Sequence, residues 1–227
     1  MIIENPGDTR IQAEVDRTHH ALRTTLRPLE YRSAGLVGGH YRTALVTGLT
    51  TVLNTGDALA SIRWSNVTFR ALIHKIEAFA SIRTAFGTAQ ELSVDLVRVT
   101  NFITADAGGT AIAFGLTNRK APGIGMTPAL ANMRVASATA VTAGASSVED
   151  ANPMASVAFD GLTNTLGMSG RATLYEIAPG EHPIVLDSQE GLRIRLGLTQ
   201  GATGVVVYRF NIDWSEVPIE AFPAQMT

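Results

Sequence analysis

The side chains able to do chemistry are few, and their spacing is poor for it. The five histidines are His19, His20, His40, His74 and His182. Adjacent His19 and His20 point in different directions on a helix or a strand, so they do not share an ion. Asp16 and His20 lie one helical turn apart and offer two ligands, whereas a metal site needs three or four. Neither H-x-H nor H-E-x-x-H occurs. His74, between Ile73 and Lys75, reads as a strand histidine with a hydrogen-bond partner. The chain has no cysteine, which excludes disulfides, thiolate catalysis and cysteine-based metal centres.

Glycine motifs are equally weak. Gly123-Ile124-Gly125 lacks the third glycine and the preceding strand of a dinucleotide fingerprint. Gly167-Met168-Ser169-Gly170 has the wrong spacing for a nucleophile elbow. The carboxylates are scattered, and a glycosidase pair can be distant in sequence. Carbohydrate clefts also need aromatic platforms. Trp64 and Trp214 both end alternating segments, where packing is the expected role. Asn66-Val67-Thr68 matches a glycosylation acceptor by chance, and Asp106 and the Glu149-Asp150 pair read as turn carboxylates without calcium-loop spacing. We expect no catalytic residue, no cofactor-binding residue and no metal ligand.

The elements that would position such groups are strands. Leu192, Ile194, Leu196 and Leu198 alternate with Arg193 and Arg195. Val206, Tyr208, Phe210, Ile212 and Trp214 alternate with Arg209, Asn211 and Asp213. A period of two puts these sets on opposite faces of half-buried strands. Further strands are expected at 41–47, 58–64, 68–86 (one bulged strand or two), 91–104, 133–141, 172–178 and 183–186. In 91–104, Leu92, Val94 and Leu96 share one face, while Val97, Val99 and Ile103 share the other. Either a β-bulge shifts the phase or both faces are buried. Long irregular stretches are expected at about 105–132 and 143–170, with a helical turn at 128–132. The number of strands and turns predicts an all-β fold, a jelly-roll-like antiparallel β-sandwich.

Residues 1–40 differ and read as an extended or partly helical N-terminal arm. Ile11, Val15, Leu22 and Leu26 allow an amphipathic helix from about Thr9 to Leu26, capped by Asp8 and ended by Pro28. Gly35, Gly38 and Gly39 form a hinge. The sandwich domain is expected over 41–216 and a tail over 217–227, because Pro218 and Pro223 do not suit a central strand.

Composition narrows the partners. Charged residues make up 17 %, against about 25 % in an ordinary soluble domain. Low charge suits a surface covered by a partner, and it equally suits a chain rich in Ala, Gly and Thr. Of the 18 basic residues, only Lys75 and Lys120 are lysines. Net charge is −2, so no global positive field draws in nucleic acid. No apolar run is long enough to span a membrane as a helix, and the N-terminus lacks the regions of a signal peptide. Synthesis in a cytoplasm without general export is expected.

Several segments together resemble a known family. They are Glu14-Val15-Asp16, Ala21-Leu22-Arg23, Leu26-Arg27-Pro28-Leu29, Gly39-His40-Tyr41 with Gly48, Ile62-Arg63-Trp64, Phe86-Gly87-Thr88-Ala89-Gln90-Glu91-Leu92, and Met133-Arg134-Val135-Ala136 with Leu162 and Gly167. In this order they resemble virion structural proteins of tailed bacteriophages, of the capsid cement or decoration kind. The resemblance runs over roughly the first 140 residues. It implies a jelly-roll-like domain, homo-oligomers (trimers favoured), a place on the phage head and no enzymatic activity. It also implies an N-terminal arm lying on the major capsid protein. In that arm Arg17, Arg23, Arg27 and Tyr31 are the expected polar and aromatic contacts, with Val15, Leu22 and Leu26 as apolar anchors. The arm could instead fold onto its own sandwich. A tail, collar or fibre-associated virion protein, or a glycan- or receptor-binding module, are the alternative readings.

Overall fold

A computed structural model describes residues 40–112, 131–163, 169–178 and 181–219, together with two short strands in the first forty residues. The chain forms two units, Met1–Leu36 and Val37–Thr227.

In the first unit, strands β1 (Glu14–Val15) and β2 (Leu22–Arg23) pair antiparallel, Glu14 with Arg23 and Val15 with Leu22. This corrects the expected helix over Thr9–Leu26 at the four residues described. Val15 and Leu22 are seven apart, a spacing that serves a helix face or a short hairpin.

The second unit begins with β3 (His40–Val46), β4 (Ala58–Trp64), β5 (Phe69–Thr84) and β6 (Gln90–Thr100). Three short strands follow: β7 (Thr110–Ile112), β8 (Ala131–Val135) and β9 (Val148–Glu149). The chain continues with β10 (Ala155–Thr163), β11 (Ser169–Glu176), β12 (Ile184–Leu186), β13 (Glu190–Leu196) and β14 (Val205–Pro218). All pairings are antiparallel, in two sheets. One runs β11-β5-β14-β3, with β12 also on β5. The other runs β10-β6-β13-β4-β8-β7, with β9 on β6. Take the long strands β3, β4, β5, β6, β10, β11, β13 and β14 as first to eighth. The sheets then read 1-8-3-6 and 2-7-4-5, the order produced by two Greek keys. The fold is a jelly-roll β-sandwich.

The core lies between the sheets. Leu192, Ile194 and Leu196 enter it from one side, and Val206, Tyr208, Phe210, Ile212 and Trp214 from the other. Each large apolar side chain buried this way contributes about 1.5–3 kcal/mol. Trp64 and Trp214 are both 1 % exposed. Trp214 stacks on Tyr41 at 5.5 Å, and the Trp64 indole N–H donates to the Phe69 carbonyl at 2.8 Å. Neither tryptophan is a sugar platform.

Several expectations are narrowed or corrected. Segment 68–86 holds one bulged strand, Phe69–Thr84, the first of its two readings. His74 is an extra residue in it, because Asp213 pairs with Lys75 but Trp214 pairs with Ile73. β6 has no bulge where one was considered: Gly191–Leu196 pairs with Val99–Val94 in unbroken register, and both faces of β6 are buried. β10 lies inside the stretch read as irregular, hidden by its alanines, and β7 and β9 also interrupt those stretches. Ala131 and Asn132 are strand and not helical turn. Leu198, past the end of β13, is exposed. β14 continues beyond Trp214 to Pro218. After Ser215 it keeps a partner only in β5, so a proline there leaves no second ladder unpaired.

Candidate functional site

The outer faces of the two sheets carry the groups that the core leaves over. On the β13 sheet, Arg193 is 1 % exposed. Its Nε–H donates to Asp106 at 2.9 Å, and its Nη2 donates to the other Asp106 oxygen and, at 2.7 Å, to Ser147 Oγ. Its Nη1 donates to Glu149 at 2.9 Å, and its guanidinium lies 5.0 Å from the Phe102 ring centroid. Arg195 shares Glu149 at 2.9 Å. Burial alone would lower the Arg193 pKa, but its bonds to Asp106 and Glu149 outweigh that and raise it. Asp106 and Glu149 both belong to the long connection between β6 and β10. The knot therefore clamps that connection onto the sheet, over Val97 and Val99.

Glycine makes room for it. A Cβ on Gly191 would collide with the Ile62 carbonyl and stand 2.7 Å from the Phe102 ring. Phe102 packs where Gly191 has no side chain. The arginine face of β13, which alternation alone would assign to water, is thus a second, smaller core.

The outer face of the β14 sheet carries exposed side chains, Val46, Arg171 and Arg209 among them. Register brings Val46, Arg209, Phe79 and Arg171 into one row across β3, β14, β5 and β11. The next row is Ala44, Asn211, Glu77 and Thr173, and beyond it lie Arg42, Asp213 and Lys75. Glu77 is 4 % exposed at the floor. It accepts from Arg171 at 2.6 Å and from Asn211 at 3.4 Å, with Lys75 at 3.3 Å and Arg42 at 3.5 Å. The Arg171 bond pulls its carboxyl pKa down to about 2, against the opposing effect of burial. Lys75 also pairs with Glu176 at 3.0 Å, which raises the lysine pKa. The Arg171 guanidinium sits 5.5 Å from the Phe79 centroid, and exposed Arg209 pairs with Phe79 in register on the neighbouring strand β14.

At one end of this sheet, His74 Nε2 lies 2.7 Å from Ser215 Oγ, and the His40 and His74 rings are 5.4 Å apart. A serine–histidine pair is half of a hydrolase apparatus. Ser215, however, is 1 % exposed, so a substrate carbonyl has no approach to its hydroxyl. The pair ties the bulge at His74 to β14. On the inner side, Glu216 is 4 % exposed, and one carboxylate oxygen has no hydrogen-bond partner. Burial lifts its pKa to about 7, opposed by a hydrogen bond from Tyr41.

The sequence motifs resolve as structural features where they are described. Asn66 is buried, and its Oδ1 accepts from the Thr68 N–H, the Thr68 hydroxyl and the Phe69 N–H, so it caps a turn. Ser169 and Gly170 lie in extended β11, not in an elbow. Among the described residues no group of three or more His, Cys, Asp or Glu is placed to hold a metal ion. Of the expected arm contacts, Val15, Leu22 and Arg23 lie in β1 and β2. Arg17, Leu26, Arg27 and Tyr31 lie outside the described residues, as do His19, His20 and the Gly123-Ile124-Gly125 motif. Sequence reasoning missed the Arg193 knot and the Arg209–Phe79–Arg171 row. The visible signal for the row was the outward set on β14; its partners on β5 and β11 come only from register.

Comparison with protein-family models, with curated proteins and with solved structures returns no match.

Proposed function

We propose that this chain is a capsid cement or decoration protein of a tailed bacteriophage, which binds the major capsid protein lattice and stabilises the mature head. The observation that carries the reading is a jelly roll elaborated on both outer faces. One sheet carries a long connection pinned by buried Arg193. The other presents a row of arginine and phenylalanine. A subunit that bridges neighbouring capsomers needs contact surfaces on more than one side, because its hold comes from several weak contacts made at once. The motif resemblance, the low charge and the separate N-terminal unit agree with this role. A homo-oligomer, with trimers favoured, presents several copies of each surface together.

The test uses expanded phage heads stripped of this protein. Purified chain should co-sediment with them at a fixed stoichiometry and restore their survival on heating or osmotic shock. Failure to bind, or binding without any gain in survival, refutes the reading. Gold-labelled particles separate it from its nearest rival, since a tail, collar or fibre component labels away from the head shell.

A further inference from the structure

We infer that the outer face of the β14 sheet is the docking surface for an acidic patch of a protein partner, with Arg171 and Arg209 as its charged contacts and Phe79 as its apolar centre. The partner is assigned on top of the capsid reading; the chemistry of the face stands on its own.

The geometry begins with the row. Adjacent strands are about 4.8 Å apart, so Arg171 and Arg209 flank Phe79 at backbone separations of about 5 Å each. Arg171 lies over the ring, with its guanidinium 5.5 Å from the centroid and its side chain 65 % exposed. Arg209 makes no ion pair among the described residues and is exposed. Arginine on an aromatic ring is held in place before any partner arrives, so less freedom is lost on binding. Arginine and phenylalanine are also enriched where protein interfaces are fully buried.

The charge pattern selects the partner. In the next row, Glu77 is almost completely covered and shared by Arg42, Lys75 and Arg171. One nearly covered carboxylate thus serves three cations, and the row of Val46, Arg209, Phe79 and Arg171 carries two guanidiniums and no carboxylate, although the whole chain has a net charge of −2. Guanidinium forks pair bidentately with carboxylates. A polyphosphate or sulfated chain would suit the face less well. Such a chain leaves the Phe79 ring without an apolar partner, and one phenyl ring falls short of the several stacking platforms that line a nucleic-acid face. An acidic protein patch with an apolar side chain at its middle satisfies both the arginines and Phe79.

The test compares the full-length chain with the double charge reversal Arg171→Glu/Arg209→Glu, with Arg171→Lys/Arg209→Lys, and with Glu181→Lys as an exposed control away from the row. Each is titrated onto stripped expanded heads, and separately onto immobilised polyglutamate, heparin and a single-stranded oligonucleotide. Thermal unfolding checks that each variant is folded. The wild type and the control should bind heads and polyglutamate, with affinity falling as salt rises. The double reversal should lose about tenfold or more on both, and the lysine variant should lie between. If the wild type binds heads and the double reversal binds equally well, the docking inference is wrong and the capsid reading survives. If heads are not bound but polyglutamate is, with loss in the double reversal, the capsid reading fails and the acidic-partner inference stands. A preference for heparin or the oligonucleotide over polyglutamate, or no binding to any anionic probe, overturns the inference.

Discussion

Glu216→Gln should remove part of the pH dependence of stability. Glu216 is 4 % exposed, has one unpartnered oxygen, and holds its proton to about pH 7 because burial disfavours the charged form. In the unfolded chain the same carboxyl titrates near 4.5. Below 4.5 both states are protonated and the group costs little. Between 4.5 and 7 the folded state keeps a proton that the unfolded state releases, so stability falls as pH rises. The slope is about 1.4 kcal/mol per pH unit, and the total loss above pH 7 is about 3 kcal/mol. Glutamine carries no charge to desolvate and has no such slope. The variant should therefore gain on the wild type by about 3 kcal/mol between pH 4.5 and pH 8.5. At the acid end it should be equal or slightly weaker, because its amide must find partners. The assay is urea unfolding at a series of pH values, read by tryptophan fluorescence; Trp214, stacked on Tyr41, is a nearby reporter. Other titrating groups act on both proteins and cancel in the difference. Parallel stability curves for the two proteins would show that Glu216 is ionised in the fold or solvated, and the reasoning would fail.

Arg193→Met should destabilise the chain by about 3–5 kcal/mol, because it leaves Asp106 buried and unpaired, and adding Asp106→Leu should recover most of that loss; chemical denaturation of both variants measures it. Gly191→Ala should cost more than about 2 kcal/mol, since its methyl group would overlap the Ile62 carbonyl and press on Phe102; a melting temperature unchanged from wild type would refute this. Glu77→Gln should weaken the protein at neutral pH and converge with it in strong acid. The depressed pKa of about 2 supplies stability that is complete above 4.5 and disappears as pH falls towards 2. Acid titration followed by circular dichroism should show the two curves meeting in that window.

Much of the sandwich was legible in the chain because large side chains at a period of two leave no ambiguity about which way each points. β13 and β14 are the clearest cases, and both deliver their apolar sets to the core. β10 was hard to see for a local reason: Ala155 and Ala158 interrupt its polar–apolar contrast. The arm was ambiguous because residues seven apart can share a helix face or pair across a short hairpin. Trp64 and Trp214, the residue type a sugar platform uses, are committed to packing.

The candidate surfaces were far less legible. The alternation Leu192-Arg193-Ile194-Arg195-Leu196 states which residues leave the core, but it is silent on what meets them outside. Asp106 and Glu149 reach Arg193 across separations of 87 and 44 residues, so a face that looks solvated in the sequence is closed over. The row of Arg171, Phe79 and Arg209 likewise exists only because β11, β5 and β14 are neighbours in one sheet. The chain by itself determined that it would be built of strands, and which side of each long strand would be apolar. These follow from the stereochemistry of consecutive residues. Which strands became neighbours, and therefore which charges were buried in a knot and which were left aligned on an open face, was decided by the closure of distant segments. No local pattern encodes that.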